Sequence, residues 1–201
     1  MNFLAHLFLS GNHEEIMVGN FIGDFVRGKD IYLRYPFHVA LGIELHREID
    51  EFTDRHPVVR ESKIRLRPKY RHYAPVIVDM FYDHFLAANW SSYHTQPLAQ
   101  YARQSYSVLQ KYLPQLPDRV KYLMPYMIEG DWLFNYAQPE GIHRALSGMA
   151  RRTPFDSRMD EAVHDLQKFK IEFESEFLLF FPELKRMSEN FIRDRENGER
   201  A

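Results

Sequence analysis

The stretch Gly42–Pro57 reads GIELHREIDEFTDRHP, and its spacing decides the kind of fold the chain adopts. His46, Asp50 and Asp54 recur every four residues, and Leu41, Leu45, Ile49 and Phe52 run beside them. On a helix these residues form two adjacent stripes, one polar and one apolar. The polar stripe therefore lies at the edge of a buried face. An imidazole and carboxylates held there are the ligand types a divalent metal needs. A surface helix with scattered charges explains this stretch equally well when it is taken alone.

Downstream, Pro75 opens a helix to about Trp90 that is apolar nearly all round, VIVDMFYDHFLAANW, and so central. Asp79 and Asp83 lie one turn apart on it, with His84 next, among Val76, Ile77, Val78, Met80, Phe81, Phe85 and Leu86. An ionised carboxylate buried without a partner costs several kcal/mol. A metal ion supplies the missing partner; so does a buried salt bridge to Arg47 or Arg71.

Upstream, Asn2 caps a short helix to Leu9 that carries His6 among apolar residues. A second helix runs from His13 to Ile22 and ends at Gly23-Asp24-Phe25. The helix containing the opening stretch starts near Phe37 and stops at His56-Pro57. The segment 60–72 carries six Lys or Arg against Glu61, a local charge near +5. A short helix followed by a loop is expected there, because Pro68 interrupts. Further helices begin at Pro97, Pro117 and Pro139. The one from Pro117 should run through Gly130-Asp131 with a kink at Pro125. A long amphipathic helix from Asp160 places Val163, Leu166, Phe169, Phe173, Phe177, Phe180 and Leu184 on one face, with Pro182 bending or splitting it. Strand-like alternation is absent. The expected architecture is all-α, a single domain over 1–201 of roughly eight helices with a frayed tail at 193–201.

Composition narrows the chemistry. With 201 residues, 45% hydrophobic, 27% charged and a net charge of -2, the chain is an ordinary globular sequence and a poor general nucleic-acid binder. The absence of cysteine removes disulfides, thiolate zinc sites and cysteine nucleophiles together. The opening MNFLAHLFLSG lacks a basic n-region and is a poor signal peptide. No apolar run approaches the length of a membrane span. A cytoplasmic protein with no membrane partner is expected. Neither a phosphate-binding Gly-rich loop nor a nucleophile elbow is present.

Taken singly, His6 reads as a core histidine and Asp24 as a turn residue. Taken together, His6, Asp24, His46, Asp50, Asp79 and Asp83 come from four segments and can converge on one ion. The excess of carboxylates favours Mn²⁺ or Mg²⁺, while histidine keeps Zn²⁺ or Fe²⁺ open. An ion so held acidifies water and polarises a phosphoryl oxygen, so phosphoester hydrolysis is the natural chemistry. Asp54 turns away from His46 and reads as a supporting or capping residue. Glu129 and Asp131 read as a solvated acidic pair.

The blocks MNFLAHLFLSG, VGNFIGDFVRG, GIELHREIDEFTDRHP and VDMFYDHFLAANW, in this order, resemble the acyl carrier protein phosphodiesterase (ACP hydrolyase) family, a relative of the HD phosphohydrolases. The resemblance implies a compact, HD-like helical domain that hydrolyses the phosphodiester joining 4′-phosphopantetheine to a carrier-protein serine. Holo acyl carrier protein becomes apo, with Mn²⁺ as cofactor. It also implies Asp24 as an essential metal-binding or water-activating carboxylate, with His46, Asp50, Asp79 and Asp83 as further ligands. His6 or His84 would protonate the leaving serine. The HD pattern has Asp directly after His, whereas Arg47 follows His46 here; Asp50, one turn on, is the substitute. The acidic carrier would dock on the basic run, through Lys63, Arg65, Lys69, Arg67 and Arg71. Two other readings compete. One is a metal phosphohydrolase acting on a nucleotide or small phosphoester; the other is a non-catalytic all-α binding protein whose buried acids are salt-bridged.

Overall fold

Every apolar periodicity described above becomes a helix. The computed structural model describes residues 1–199, and these contain α-helices and 3₁₀ turns but no strand. The α-helices, in chain order, are α1 (Phe3–Leu9), α2 (Glu14–Ile22), α3 (Ile31–Arg34), α4 (Phe37–Arg55), α5 (Pro57–Tyr70) and α6 (Ala74–Ala88). They continue with α7 (Leu98–Tyr112), α8 (Asp118–Glu129), α9 (Trp132–Asn135), α10 (Pro139–Arg152), α11 (Ala162–Lys168) and α12 (Lys170–Glu199). No helix among the described residues is long and apolar enough to cross a membrane.

The count exceeds eight for local reasons. The short α3 carries no periodic signal. The helix from Pro117 ends at Glu129, because Asp131 takes a left-handed φ of 41° and restarts the chain as α9. The long C-terminal helix is divided at Phe169, not at Pro182. Pro68, Pro125 and Pro182 all lie inside helices and all are exposed. Each removes one backbone donor, but on the outer face water can satisfy the carbonyl left behind. Hence α5 continues through Pro68 to Tyr70, where the expected loop would have begun. Residues expected to fray are helical through Glu199; residues 200–201 lie outside the described ones.

The core is organised around α6. Ile77, Val78, Met80, Phe81, Tyr82, Phe85 and Leu86 are all buried there. Phe173, Phe177, Phe180 and Phe181 of α12 close one side, with ring-centroid distances of 5.1 Å for Phe81–Phe173 and 5.7 Å for Tyr82–Phe177. On the other side α2 meets α4 at backbone contact. A Cβ on Gly19 would lie 2.0 Å from the Val39 carbonyl oxygen, and one on Gly42 would lie 2.2 Å from that of Ile16. Only glycine permits this approach, and it brings the last turn of α2 against His46.

Candidate metal centre

Three segments meet at the α2–α4 contact. His46 of α4 donates through Nδ1 to the backbone carbonyl of Asn20, 2.7 Å away. The Asn20 side chain is wholly buried; its Nδ2 donates to the His6 carbonyl at 2.7 Å and to Ser10 Oγ at 2.9 Å. That leaves its Oδ1 to accept from His6 Nδ1 at 2.8 Å. One asparagine thus ties down the rear nitrogen of both imidazoles. The two rings stack, with centroids 3.9 Å apart and an 18° tilt.

Their front nitrogens converge on acids. His46 Nε2 lies 3.2 Å from Asp50 Oδ2 and 3.2 Å from Asp24 Oδ1; His6 Nε2 lies 3.3 Å from Asp50 Oδ1. His6 Nε2 is buried and makes no hydrogen bond. Burial and the neighbouring His46 lower the His6 pKa to about 4, so its front nitrogen is a bare lone pair beside a carboxylate. Burial pulls His46 down, but Asp24 and Asp50 outweigh it and raise its pKa to about 9. Burial also opposes ionisation of Asp50, yet His46 and the Met1 ammonium hold it far below the usual carboxylate range. Hydrogen bonding to His46 likewise lowers Asp24. An orphaned lone pair, a second imidazole and a carboxylate facing one another form a site for a divalent cation, and His6, His46 and Asp50 present one ligand atom each within 4.8 Å of one another.

Asp24 sits on the 3₁₀ turn Gly23–Phe25 with its side chain 69% exposed, so it forms the rim of the centre. Gly23 lets the turn close: a Cβ there would lie 2.2 Å from His46 Cγ. Asp79 approaches from α6 and lies 3.1 Å from the Met1 amino nitrogen, which is also 3.7 Å from Asp50. Burial raises the pKa of Asp79.

Other expected residues are held elsewhere. Asp83 is fully buried and accepts from the backbone N–H groups of Asn2, at 3.1 Å, and Leu4, at 2.8 Å. It anchors the start of α1, where amide groups lack helical partners. Burial raises its pKa to about 7 against the pull of those amides. His84 points away, donating through Nδ1 to the Tyr136 carbonyl at 2.8 Å, with its pKa lowered by burial. Neither joins the cluster. No arginine pairs with Asp79 or Asp83 among the described residues. Asp54 bonds Lys63 at 2.6 Å on the surface.

The basic run of α5 is largely neutralised from within. Arg65 makes a forked pair with Glu176 of α12 at 2.8 and 2.7 Å. Lys69 meets Asp165 at 2.8 Å and Glu161 at 3.2 Å. Among Lys63, Arg65, Arg67, Lys69 and Arg71, only Arg67 and Arg71 are exposed with no ion pair among the described residues.

Asn20 escaped the sequence reading. Its signal is a lone amide in the apolar run VGNFIG, a group that must be hydrogen-bonded once buried.

A family model described as acyl carrier protein phosphodiesterase matches residues 1–184. The chain is 37% identical over 191 residues to the acyl carrier protein phosphodiesterase of Enterobacter sp. (strain 638), covering 94% of this chain and 98% of that protein. It is 35% identical over 191 residues to the Klebsiella pneumoniae (strain 342) protein of the same name, with the same coverage. It is 36% identical over 188 residues to that of Escherichia coli O157:H7, covering 92% of this chain and 95% of the relative. No solved structure matches. The cluster at the α2–α4 contact therefore lies in a chain that belongs to the acyl carrier protein phosphodiesterase family.

Proposed function

We propose that this protein hydrolyses the phosphodiester between 4′-phosphopantetheine and the serine of holo acyl carrier protein, using Mn²⁺ held by His6, His46, Asp50 and Asp24. The observation that carries the reading is the unbonded His6 Nε2 facing Asp50 beside His46 Nε2. Family membership supplies the substrate, and two imidazole nitrogens with two carboxylate oxygens form a mixed donor set that a divalent ion such as Mn²⁺ accepts. When bound, such an ion supplies Lewis acidity toward water and phosphoryl oxygen.

The chain's own residues do the rest. Asn20 fixes both imidazoles so that their Nε2 atoms face inward. Asp24, with Oδ1 toward His46 and most of its carboxylate open to solvent, is placed to take the proton of the attacking water. Water adds at phosphorus and the bond from phosphorus to the serine oxygen breaks. Phosphopantetheine leaves as a monoester, and the serine oxygen regains a proton from solvent. His6 and His84 do not suit that last transfer: His6 Nε2 faces Asp50 and would be taken up by a bound ion, and His84 faces Tyr136. Asp79 is held by its ion pair with the Met1 ammonium, 3.1 Å away.

Mass spectrometry of holo acyl carrier protein incubated with the protein and Mn²⁺ tests the reading. Loss of the phosphopantetheine mass, abolished by chelator, is expected; an unchanged carrier mass overturns it.

A further inference from the structure

The scissile bond lies at the serine oxygen, on the carrier's own surface and not at the tip of the prosthetic arm. The carrier must therefore seat against the rim carrying Asp24. On the basic face of α5, Lys63, Arg65 and Lys69 are already paired with acids of the chain. One of these acids, Asp54 on α4, is eight residues past His46, about 12 Å along the helix axis.

The surface that does border the rim has a different composition. Phe25 follows Asp24 directly, and the Arg119 guanidinium of α8 lies 6.0 Å from its ring centre. One and two turns beyond Arg119, on the same face of α8, Tyr122 is 72% exposed and Tyr126 52% exposed, with ring centroids 5.5 Å apart. Two and four residues past Phe25, Arg27 and Lys29 are exposed and, like Arg119, have no ion pair among the described residues. Arg47, adjacent to His46, fixes this loop by donating to the carbonyls of Val26, at 3.3 Å, and Gly28, at 2.8 Å. The acids around this surface are the rim carboxylate Asp24, the exposed Asp30, Asp118, which is paired with Lys121 at 3.3 Å, and Glu129, exposed one turn past Tyr126. Exposed tyrosines flanked by unpaired arginines are the residue types that dominate protein interfaces.

We propose that Arg27, Lys29, Arg119, Tyr122 and Tyr126 form the docking face for an acidic surface of the carrier protein next to its modified serine, an assignment that rests on the hydrolytic reading above. The tyrosines supply apolar contact, and the three cations meet carrier carboxylates and steer approach.

The test is calorimetric binding of apo acyl carrier protein to the Mn²⁺-loaded protein. Apo carrier keeps the protein surface but lacks the bond to be cut. Arg27→Glu with Arg119→Glu, and separately Tyr122→Ala with Tyr126→Ala, should each weaken binding about ten-fold or more. Arg60→Glu with Arg67→Glu on the exposed face of α5 should leave it unchanged. Circular dichroism and Mn²⁺ titration confirm that each variant is folded with its metal centre intact. Wild-type affinity in either of the first two variants, a loss confined to the α5 variant, or no binding by the wild type overturns the assignment. The hydrolytic reading fails separately. A wild type that binds carrier through this face yet leaves its prosthetic group in place defeats that reading and spares the docking face. Release of phosphopantetheine with undiminished binding by the variants does the reverse.

Discussion

The His46–Asp50 edge of α4 and the basic face of α5 read alike in sequence. Both place charged groups beside apolar residues, every fourth residue on α4 and every second residue along α5. Their fates differ. On α5, cations meet anions: Lys63 meets Asp54, Arg65 meets Glu176, and Lys69 meets Asp165. On α4, the rear of His46 is bonded while its front faces carboxylates, and His6 Nε2 beside it has no hydrogen-bond partner at all. Matched charges stabilise a fold. At the α4 edge a proton on His46 balances the carboxylates, and the bare His6 nitrogen beside it lets a divalent ion take that proton's place.

The largest effect should come from breaking the convergence itself. Asp50→Asn keeps the shape but removes the negative charge that faces both imidazoles. Mn²⁺ affinity and carrier hydrolysis should fall by more than the about 10–100-fold typical of supporting residues, with helical circular dichroism retained. Near-normal Mn²⁺ binding by titration calorimetry would show that the cluster is a structural ion-pair network like that of α5.

Next is the support. Asn20→Ala removes the acceptor for His6 Nδ1 and the donor to Ser10 Oγ, but leaves the backbone carbonyl that holds His46. His6 alone is freed. A drop of about 10–100-fold in Mn²⁺ affinity is expected. A drop as deep as that of Asp50→Asn would mean that the whole site collapses.

A smaller and graded effect is set by pH. In metal-free protein His46 is raised to about 9, so a divalent ion must displace its proton. Mn²⁺ affinity should therefore climb about ten-fold per pH unit between about pH 7 and pH 9 and then level off. The sign for stability is opposite. A pKa raised above the ordinary imidazole value of 6.5 stabilises the metal-free fold fully below 6.5, and that contribution is lost as pH rises through about 9. Stabilisation by Mn²⁺, read as a melting-temperature shift against chelator, should be greatest at the alkaline end. A flat profile contradicts a protonated His46.

The sequence shows the helices because amphipathic spacing is local. It shows the ligand types because His and Asp recur one turn apart beside apolar residues. It does not show which carboxylates converge, because Asp79 and Asp83 are identical in pattern. The difference between them comes from α1: its first backbone amides take Asp83, while Asp79 faces the Met1 amino group. His84 is one residue from Asp83, yet about 100° of helical rotation turns it toward Tyr136. The role of Asn20 depends on a glycine contact between α2 and α4, which no single-helix pattern contains. The ion pairs of the basic run are not legible in its sequence because the partners Glu176 and Asp165 lie about a hundred residues downstream.

The smallest functional effect is expected on the matched side of the comparison. Glu176→Ala removes the acceptor of a forked Arg65 pair and a hydrogen-bond partner of the buried Ser62. Ser62 keeps its bond to the Tyr82 hydroxyl at 2.9 Å, and Arg65 keeps its position over the Phe173 ring, 4.9 Å away. Arg65 is also partly open to water, so the loss is moderated by solvent. Stability should fall by about 1–2 kcal/mol in chemical denaturation, while Mn²⁺ affinity and the rate of carrier hydrolysis remain those of the wild type. A variant that kept its stability but lost carrier turnover would make the α5–α12 network part of the catalytic apparatus and erase the distinction between the two regions. The geometry argues against this. Arg65 and Glu176 satisfy each other, and the cations left open on that face, Arg67 and Arg71, lie outside the pair.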